Sequence, residues 1–278
     1  MEAAAWAVSV LAAAGAAEPI AFVVCAPGYP GSTREAQPVM DTFAAALAEK
    51  AGRSGGGVVA VYHETEAGGL ERLARPDAAL ALAPLPFFLK HEARLQLQPR
   101  AQAVPSGATA SEVWSLVARR GAVASAAALE GWELLSPAAY APRFVRGTAL
   151  GGWGALPAGT KLVQTSAVLT GLRRAASGER VVLLLDHAQA AALPTLPFAQ
   201  DIEVVARSQP VPAVVVCTVG ARLPAPRARA LLRALLEMHE RPPGAAALRG
   251  LQMDRFAPLD EAGLARARQA YESAKDPP

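Results

Sequence analysis

Residues 25–50 read Cys25-Ala-Pro-Gly28-Tyr29-Pro-Gly-Ser32-Thr33-Arg-Glu35-Ala-Gln-Pro-Val-Met40, continuing Asp41-Thr-Phe-Ala-Ala-Ala-Leu-Ala-Glu-Lys50. An apolar run, Ile20 to Cys25, stops at a Gly/Pro loop, and the loop feeds a run with apolar residues at helical spacing. Ser32 and Glu35 have the S-x-x-E spacing of a capping box, which places the start of the helix there. A strand that stops at a glycine-rich turn opening a helix is a common way to build an anion site. The free backbone N–H groups and the positive end of the helix dipole point into the turn. The stretch therefore reads as a grip for a small anionic ligand, with nothing in it that performs chemistry on one.

The 278 residues fit one large domain or two lobes of roughly 100–150 residues each. Hydrophobic residues make up 52% and charged residues 18%, enough apolar content for a buried core and too little charge for disorder. The net charge is +3, but the basic residues are scattered, and the densest cluster, Arg222 to Arg233, falls on a helical pattern. Nucleic-acid binding needs a basic stripe with interleaved aromatics, and none is visible. The two cysteines, Cys25 and Cys217, lie in apolar strand-like runs and read as buried thiols; alone they form no zinc site. Residues 1–18 have an apolar stretch followed by small residues, like the end of a signal peptide, although the only charge near the start is Glu2. Export is the expectation, and no other stretch has the length of a membrane span.

Along the chain, short apolar β-rich runs alternate with helical patterns. Strands are expected at 20–25, 57–63, 77–83, 112–118, 132–135, 160–163, 181–185, 202–207 and 213–219. Helices are expected at 33–50, 66–74, 85–92, 125–130, 166–177, 186–192, 224–240, 243–250 and 260–274. Strands that are apolar on both faces and separated by helices argue for an α/β protein with mostly parallel sheets covered on both sides. Breaks at Val104-Pro105-Ser106-Gly107 and Ser208-Gln209-Pro210-Val211-Pro212 divide it. Residues 19–105 and 209–278 are expected to form one lobe and 106–208 the other, joined by a two-strand hinge with a ligand cleft between them.

These features resemble the periplasmic substrate-binding proteins of ABC transporters, specifically the phosphate/phosphite/phosphonate-binding group with the type II binding-protein fold. The opening strand–loop–helix is similar to that group's start. Asp77 to Leu89 resembles its segment of strand, proline and helix, and Leu183-Leu184-Leu185-Asp186 its second-lobe strand ending in Asp. Arg207-Ser208-Gln209-Pro210-Val211-Pro212 resembles the S-x-x-x-P return hinge, and Arg233 to Leu251 the late helices. The likeness spans 19–265. One feature departs from it. Where the group carries a Ser/Thr-rich turn that holds the anion, this chain has Leu135-Ser136-Pro137-Ala138-Ala139-Tyr140-Ala141-Pro142-Arg143.

The resemblance implies a monomeric, periplasmic, non-catalytic protein without a cofactor, which closes on a small phosphate- or phosphonate-like anion and delivers it to an ABC permease. The candidate ligand-binding residues are Tyr29, Ser32 and Thr33 on the first turn, Pro84 after the strand at 77–83, Ser136 and Tyr140 on the second-lobe turn, and Asp186 at a strand end. Arg143 and Arg146 are candidates to add positive charge, and Gln189 is a weaker contact. Ser32, Ser136 and Asp186 equally suit helix capping. No catalytic or metal residues are assigned. His63-Glu64 and His91-Glu92 lack the second histidine of H-E-x-x-H, and the turn at 28–33 lacks a P-loop lysine. Two alternatives remain open: a sensor partner docking on a membrane receptor, and an enzyme of similar shape working through Lys161 or Asp186.

Overall fold

The computed structural model describes residues 18–29, 31–55 and 57–274, so the leader-like stretch, apart from Glu18, lies outside the described residues. The strands in chain order are β1 (Ile20–Cys25), β2 (Val58–His63), β3 (Ala78–Pro84), β4 (Leu97–Pro105), β5 (Ser111–Glu112), β6 (Ser115–Arg119), β7 (Glu133–Ser136), β8 (Lys161–Gln164), β9 (Val181–Leu185), β10 (Ile202–Arg207), β11 (Val211–Pro212), β12 (Val214–Val219) and β13 (Met253–Ala257). The α-helices are α1 (Thr33–Gly55), α2 (Glu66–Ala74), α3 (Leu85–Leu95), α4 (Val168–Ala176), α5 (His187–Ala191), α6 (Ala225–Leu236), α7 (Pro242–Gly250) and α8 (Glu261–Ser273).

A six-stranded sheet has the order β13-β4-β12-β3-β1-β2, and a five-stranded sheet the order β10-β6-β9-β7-β8. Each contains a parallel triplet, β2-β1-β3 and β8-β7-β9. Both sheets are mixed rather than mostly parallel, because β12 and β6 run antiparallel to those triplets. The reason is connectivity: a chain entering from the other sheet joins from the opposite end. Between the sheets the two crossings pair as a short ladder, Val211 opposite Glu112 and Pro212 opposite Ser111. Ser208 fixes the return, donating its N–H to the Trp114 carbonyl at 2.8 Å and accepting the Trp114 N–H at 2.9 Å through its hydroxyl.

Strands β1 and β9 are buried on both faces, as their continuous apolar runs require. Phe22 and Val24 face Met40, Phe43 and Leu47 of α1, with Leu231, Leu235 and Leu248 from α6 and α7. Val181, Leu183 and Leu185 face Leu172 and Ala175 of α4. The inward faces of the two sheets meet in one continuous buried cluster. It takes Ala21, Val23 and Ala81 from the larger sheet, Leu116, Leu134, Val182 and Leu184 from the smaller, and Leu264 and Ala267 from α8.

The reading of the sequence misses β4 and β13. β4 carries Pro99 and ends at Pro105, and its pairing with β12 shifts register beside Pro99, the kind of irregularity that admits proline inside a sheet. Only Phe256 of β13 is buried, so the strand shows no apolar run. The expected strand at 112–118 is two, β5 and β6, because the crossing ladder ends before the sheet begins. Residues 144–149 form an unanticipated π-helical turn. That turn seats α8, placed with the first lobe from sequence, against the second lobe as well. Thr148 Oγ1 donates to the Ala267 carbonyl at 3.1 Å, Arg143 donates to the carbonyls of Ala274 and Glu272, and Arg268 pairs with Glu92 on α3.

Gly147 permits this docking, since a Cβ there would lie 2.3 Å from the Ala270 carbonyl oxygen. The Gly147→Ala variant is expected to lose about 1–3 kcal/mol in urea denaturation, with amide protection lost first across 261–273. Gly152→Ala, where a Cβ meets nothing within 4 Å, should change little.

Candidate functional site

The C-terminal ends of β1 and β7 open into the two turns singled out in the sequence, and the turns touch. Gly28 has φ +86°, in the left-handed region, and an added Cβ would lie 2.5 Å from the Pro137 carbonyl oxygen. Beside this contact Tyr29 comes within electrostatic reach of the buried carboxyl of Asp186, which follows β9 in the other sheet. Tyr29 and Asp186, both expected at the site, are therefore brought together across the seam. A cleft of about 420 Å³ opens next to them, lined by Gly28, Tyr29, Gly31 and Glu64 on one side and Gln164, Thr165 and Ser166 on the other.

The remaining candidates hold mainly internal partners. Ser32 closes its capping box: its N–H and hydroxyl donate to Glu35 Oε2 at 3.1 and 2.7 Å, and its oxygen accepts the Glu35 N–H. Thr33 donates its N–H and hydroxyl to Glu64 Oε2 at 3.0 and 2.6 Å. The positive start of α1 thus holds two of the chain's own carboxylates, and the Thr33 hydrogen bonds keep Glu64 below the ordinary carboxylate range. Ser136 is 1% exposed, and its hydroxyl accepts the Ala138 N–H at 3.1 Å. Asp186 caps α5 through the Gln189 N–H at 2.8 Å, with Gln189 returning to the Asp186 N–H. Pro84 is buried at the end of β3, paired with Val214, and does not line the cleft. Arg146 donates to the carbonyls of Leu156 and Pro157, and Arg143 is held as described above by α8. Neither is aimed at a ligand.

Tyr140 stands differently. Its hydroxyl is buried with no hydrogen-bond partner among the described residues, while its carbonyl accepts from Lys90 Nζ of α3 at 2.5 Å. Lys90 is itself paired with Glu66 at 2.7 Å, and Glu66 also holds His91 at 2.6 Å. This knot ties the first lobe to the second-lobe turn.

Sequence reasoning misses Glu112. It sits on the crossing strand β5, 8% exposed, and its Oε1 accepts the Trp114 indole N–H at 2.8 Å. Burial, then the charge of Asp186, push its carboxyl well above the ordinary range, and burial likewise raises Asp186. Glu64 and the Gln164-Thr165-Ser166 turn are missed too, although each lies where a strand ends and a helix begins, the same signal that singled out Tyr29 and Ser136.

A second groove of about 250 Å³ lies on the far side of the larger sheet, where Lys50 is paired with Glu237 at 3.0 Å. It shares no residue with the seam.

Residues 164–264 match the model of a family described as ABC transporter, phosphonate, periplasmic substrate-binding protein. The family recognised in the sequence is the one that matches. It is a family of binding proteins rather than enzymes. XAC2383 of Xanthomonas citri, solved with chloride, superposes with a TM-score of 0.70 at 18% identity over 91% of this chain and 96% of its own. A binding-protein component of an ABC phosphonate transporter from Pseudomonas aeruginosa gives 0.63 at 16% identity, covering 91% and 85%. PhnD1 of Prochlorococcus marinus, solved with methylphosphonate, gives 0.60 at 10% identity, covering 91% and 97%. These likenesses establish the two-lobed α/β fold of the phosphonate-type binding proteins. No curated protein sequence matches the chain.

The elevated Glu112 carboxyl makes stability depend on pH. The folded state keeps its proton at pH values where the unfolded chain has lost it, so stability falls as pH rises from the ordinary value of 4.5 through the raised one. Urea denaturation across that window should show this decline in the native protein and a flatter profile in Glu112→Gln.

Proposed function

We propose that the chain is a non-catalytic solute-binding protein whose lobes, residues 19–105 with 209–278 and residues 106–208, close on a small solute at the seam. It then delivers that solute to an ABC permease on the outer face of the membrane. The observation that carries this reading is the contact of the Gly28 turn with Pro137 beside an open polar cleft, which brings the ends of β1 and β7 together across two crossing strands. Open α/β sheets bind ligands at such carboxyl ends, and groups contributed from both lobes let a ligand favour the closed arrangement. Export belongs to the same reading, supported by the periplasmic description of the matching family, and a monomeric state is proposed with it.

The family likeness makes a phosphate- or phosphonate-like anion the first class to test. The start of α4 favours it: no side chain of its cap residue Ala167 caps the helix, and Thr165, whose Oγ1 accepts the Ala167 N–H at 3.0 Å, and Ser166 line the cleft just before it.

The test is a thermal-shift and tryptophan-fluorescence titration of the full chain against phosphate, methylphosphonate, sulfonates, amino acids and amines. A true solute should stabilise the protein by about 2.7 kcal/mol at a hundredfold excess over Kd. It should quench or shift Trp114 emission and be recovered chemically unchanged. Failure of every class to shift stability would contradict the assignment, and recovery of a converted product would favour an enzyme.

A further inference from the structure

We infer that α8 is a strap across the two lobes. It holds them closed from outside the cleft and must let go of the turn at 143–149 before they part. The inference rests on the two-lobe division and on no particular solute.

The crossings β5 and β11 pair over two residues each, a ladder that joins the lobes but leaves the angle between them to other contacts. α8 supplies a wider hold because its faces address different lobes. Towards the first lobe, Arg268 pairs with Glu92 of α3, Nε donating to Oε2 at 2.9 Å. The same guanidinium lies 5.4 Å from the centre of the Phe88 ring, and β13, which leads into α8, is paired with β4. Towards the second lobe stand Ala267, Ala270, Tyr271 and Ala274, spaced i, i+3, i+4 and i+7 along one helix face.

That face is held by close backbone approach rather than by bulk. A Cβ on Gly147 would come 2.3 Å from the Ala270 carbonyl oxygen and 2.7 Å from the Ala274 Cβ. Beside it the buried Thr148 hydroxyl donates to the Ala267 carbonyl at 3.1 Å. The last turn of α8 has no basic residue of its own, and Arg143 supplies the cation from the other lobe. Its Nη2 donates to the Glu272 carbonyl at 3.1 Å and its Nε to that of Ala274 at 3.3 Å, with the guanidinium 4.8 Å from the centre of the Tyr271 ring. Carbonyls at a helix C-terminus lack intrahelical donors and carry the negative end of the dipole, so parting the lobes strips this end of its partner.

None of these residues lines the cleft. The strap therefore biases closure without touching what the cleft holds, and it works only while fastened at both ends. Links in series have a signature: releasing either end frees the lobes, and releasing the second adds nothing.

Double electron–electron resonance between spin labels at Glu49→Cys and Thr170→Cys tests this in the full chain. Arg143→Gln unfastens the second-lobe end, and Arg268→Gln the first-lobe end. Each should raise the share of longer inter-lobe distances about fivefold or more, and the double variant should give no more than the larger single effect. Thr148→Val keeps the volume, removes the hydroxyl donor and should shift the distances in the same direction, so the test stands even where an arginine variant does not fold. Arg174→Gln breaks pairs with Glu133 and Glu179 inside the second lobe and should leave the distances unchanged. Unaltered distances in the Arg143, Arg268 and Thr148 variants would overturn the strap. So would effects of the two arginines that simply add, or a shift in Arg174→Gln as large as theirs. Every measurement is made without added solute, so failure here leaves the solute-binding reading standing.

Discussion

The close approach of Tyr29 to the buried carboxyl of Asp186 is the contact on which the rest of the seam depends. It joins the turn after the first strand of one sheet to the end of a central strand of the other. Around it the Gly28 backbone abuts Pro137, and Lys90 reaches the Tyr140 carbonyl. Both partners are pushed away from ionisation, Asp186 by burial and Tyr29 by burial and then by the charge of Asp186. A neutral phenol and a desolvated acid interact more strongly in this dry setting than they do once water enters. Opening the lobes and hydrating Asp186 are therefore the same event.

That coupling is set against a considerable apolar contact. The two inward sheet faces and α8 share one buried cluster, whose contiguity resists separation more than a polar inter-domain surface would. The helix α8 adds a brace, touching the π-helical turn of the second lobe, the crossing strand β11 and Glu92 of the first. Motion about the β5–β11 ladder must keep or break these contacts as a set. Glu112 lies on that ladder, so a buried acid sits on the crossing itself.

Most of the fold was legible because its central strands are buried on both faces and so carry continuous apolar runs. Ile20–Cys25 and Val181–Leu185 announce themselves that way, and Ser32 with Glu35 marks the start of α1. β4 was hidden by its prolines and β13 by its single buried residue, since both draw their pairing from neighbours rather than from their own pattern. At the site, Tyr29 and Asp186 were legible from their place at strand ends. Ser32, Thr33 and Ser136 looked like anion ligands because a cap and a ligand contact ask for the same hydroxyl. Only the fold shows that Glu64, Glu35 and the Ala138 N–H already occupy them. Glu112 gave no local signal, because its meaning comes from Asp186, which the chain reaches only after building the second lobe.

The most direct measurement of the central claim is an inter-lobe distance. Spin labels placed at Glu49→Cys and Thr170→Cys sit on exposed positions of α1 and α4, and the native thiols Cys25 and Cys217 are buried, with Cys25 raised to about 12 and unreactive. Double electron–electron resonance in the ligand-free protein should give one short, narrow distance. Tyr29→Phe, which removes only the hydroxyl, should broaden that distribution toward longer distances. An unchanged distribution in Tyr29→Phe would show that the lobes are held by their apolar contact alone, and would contradict the account.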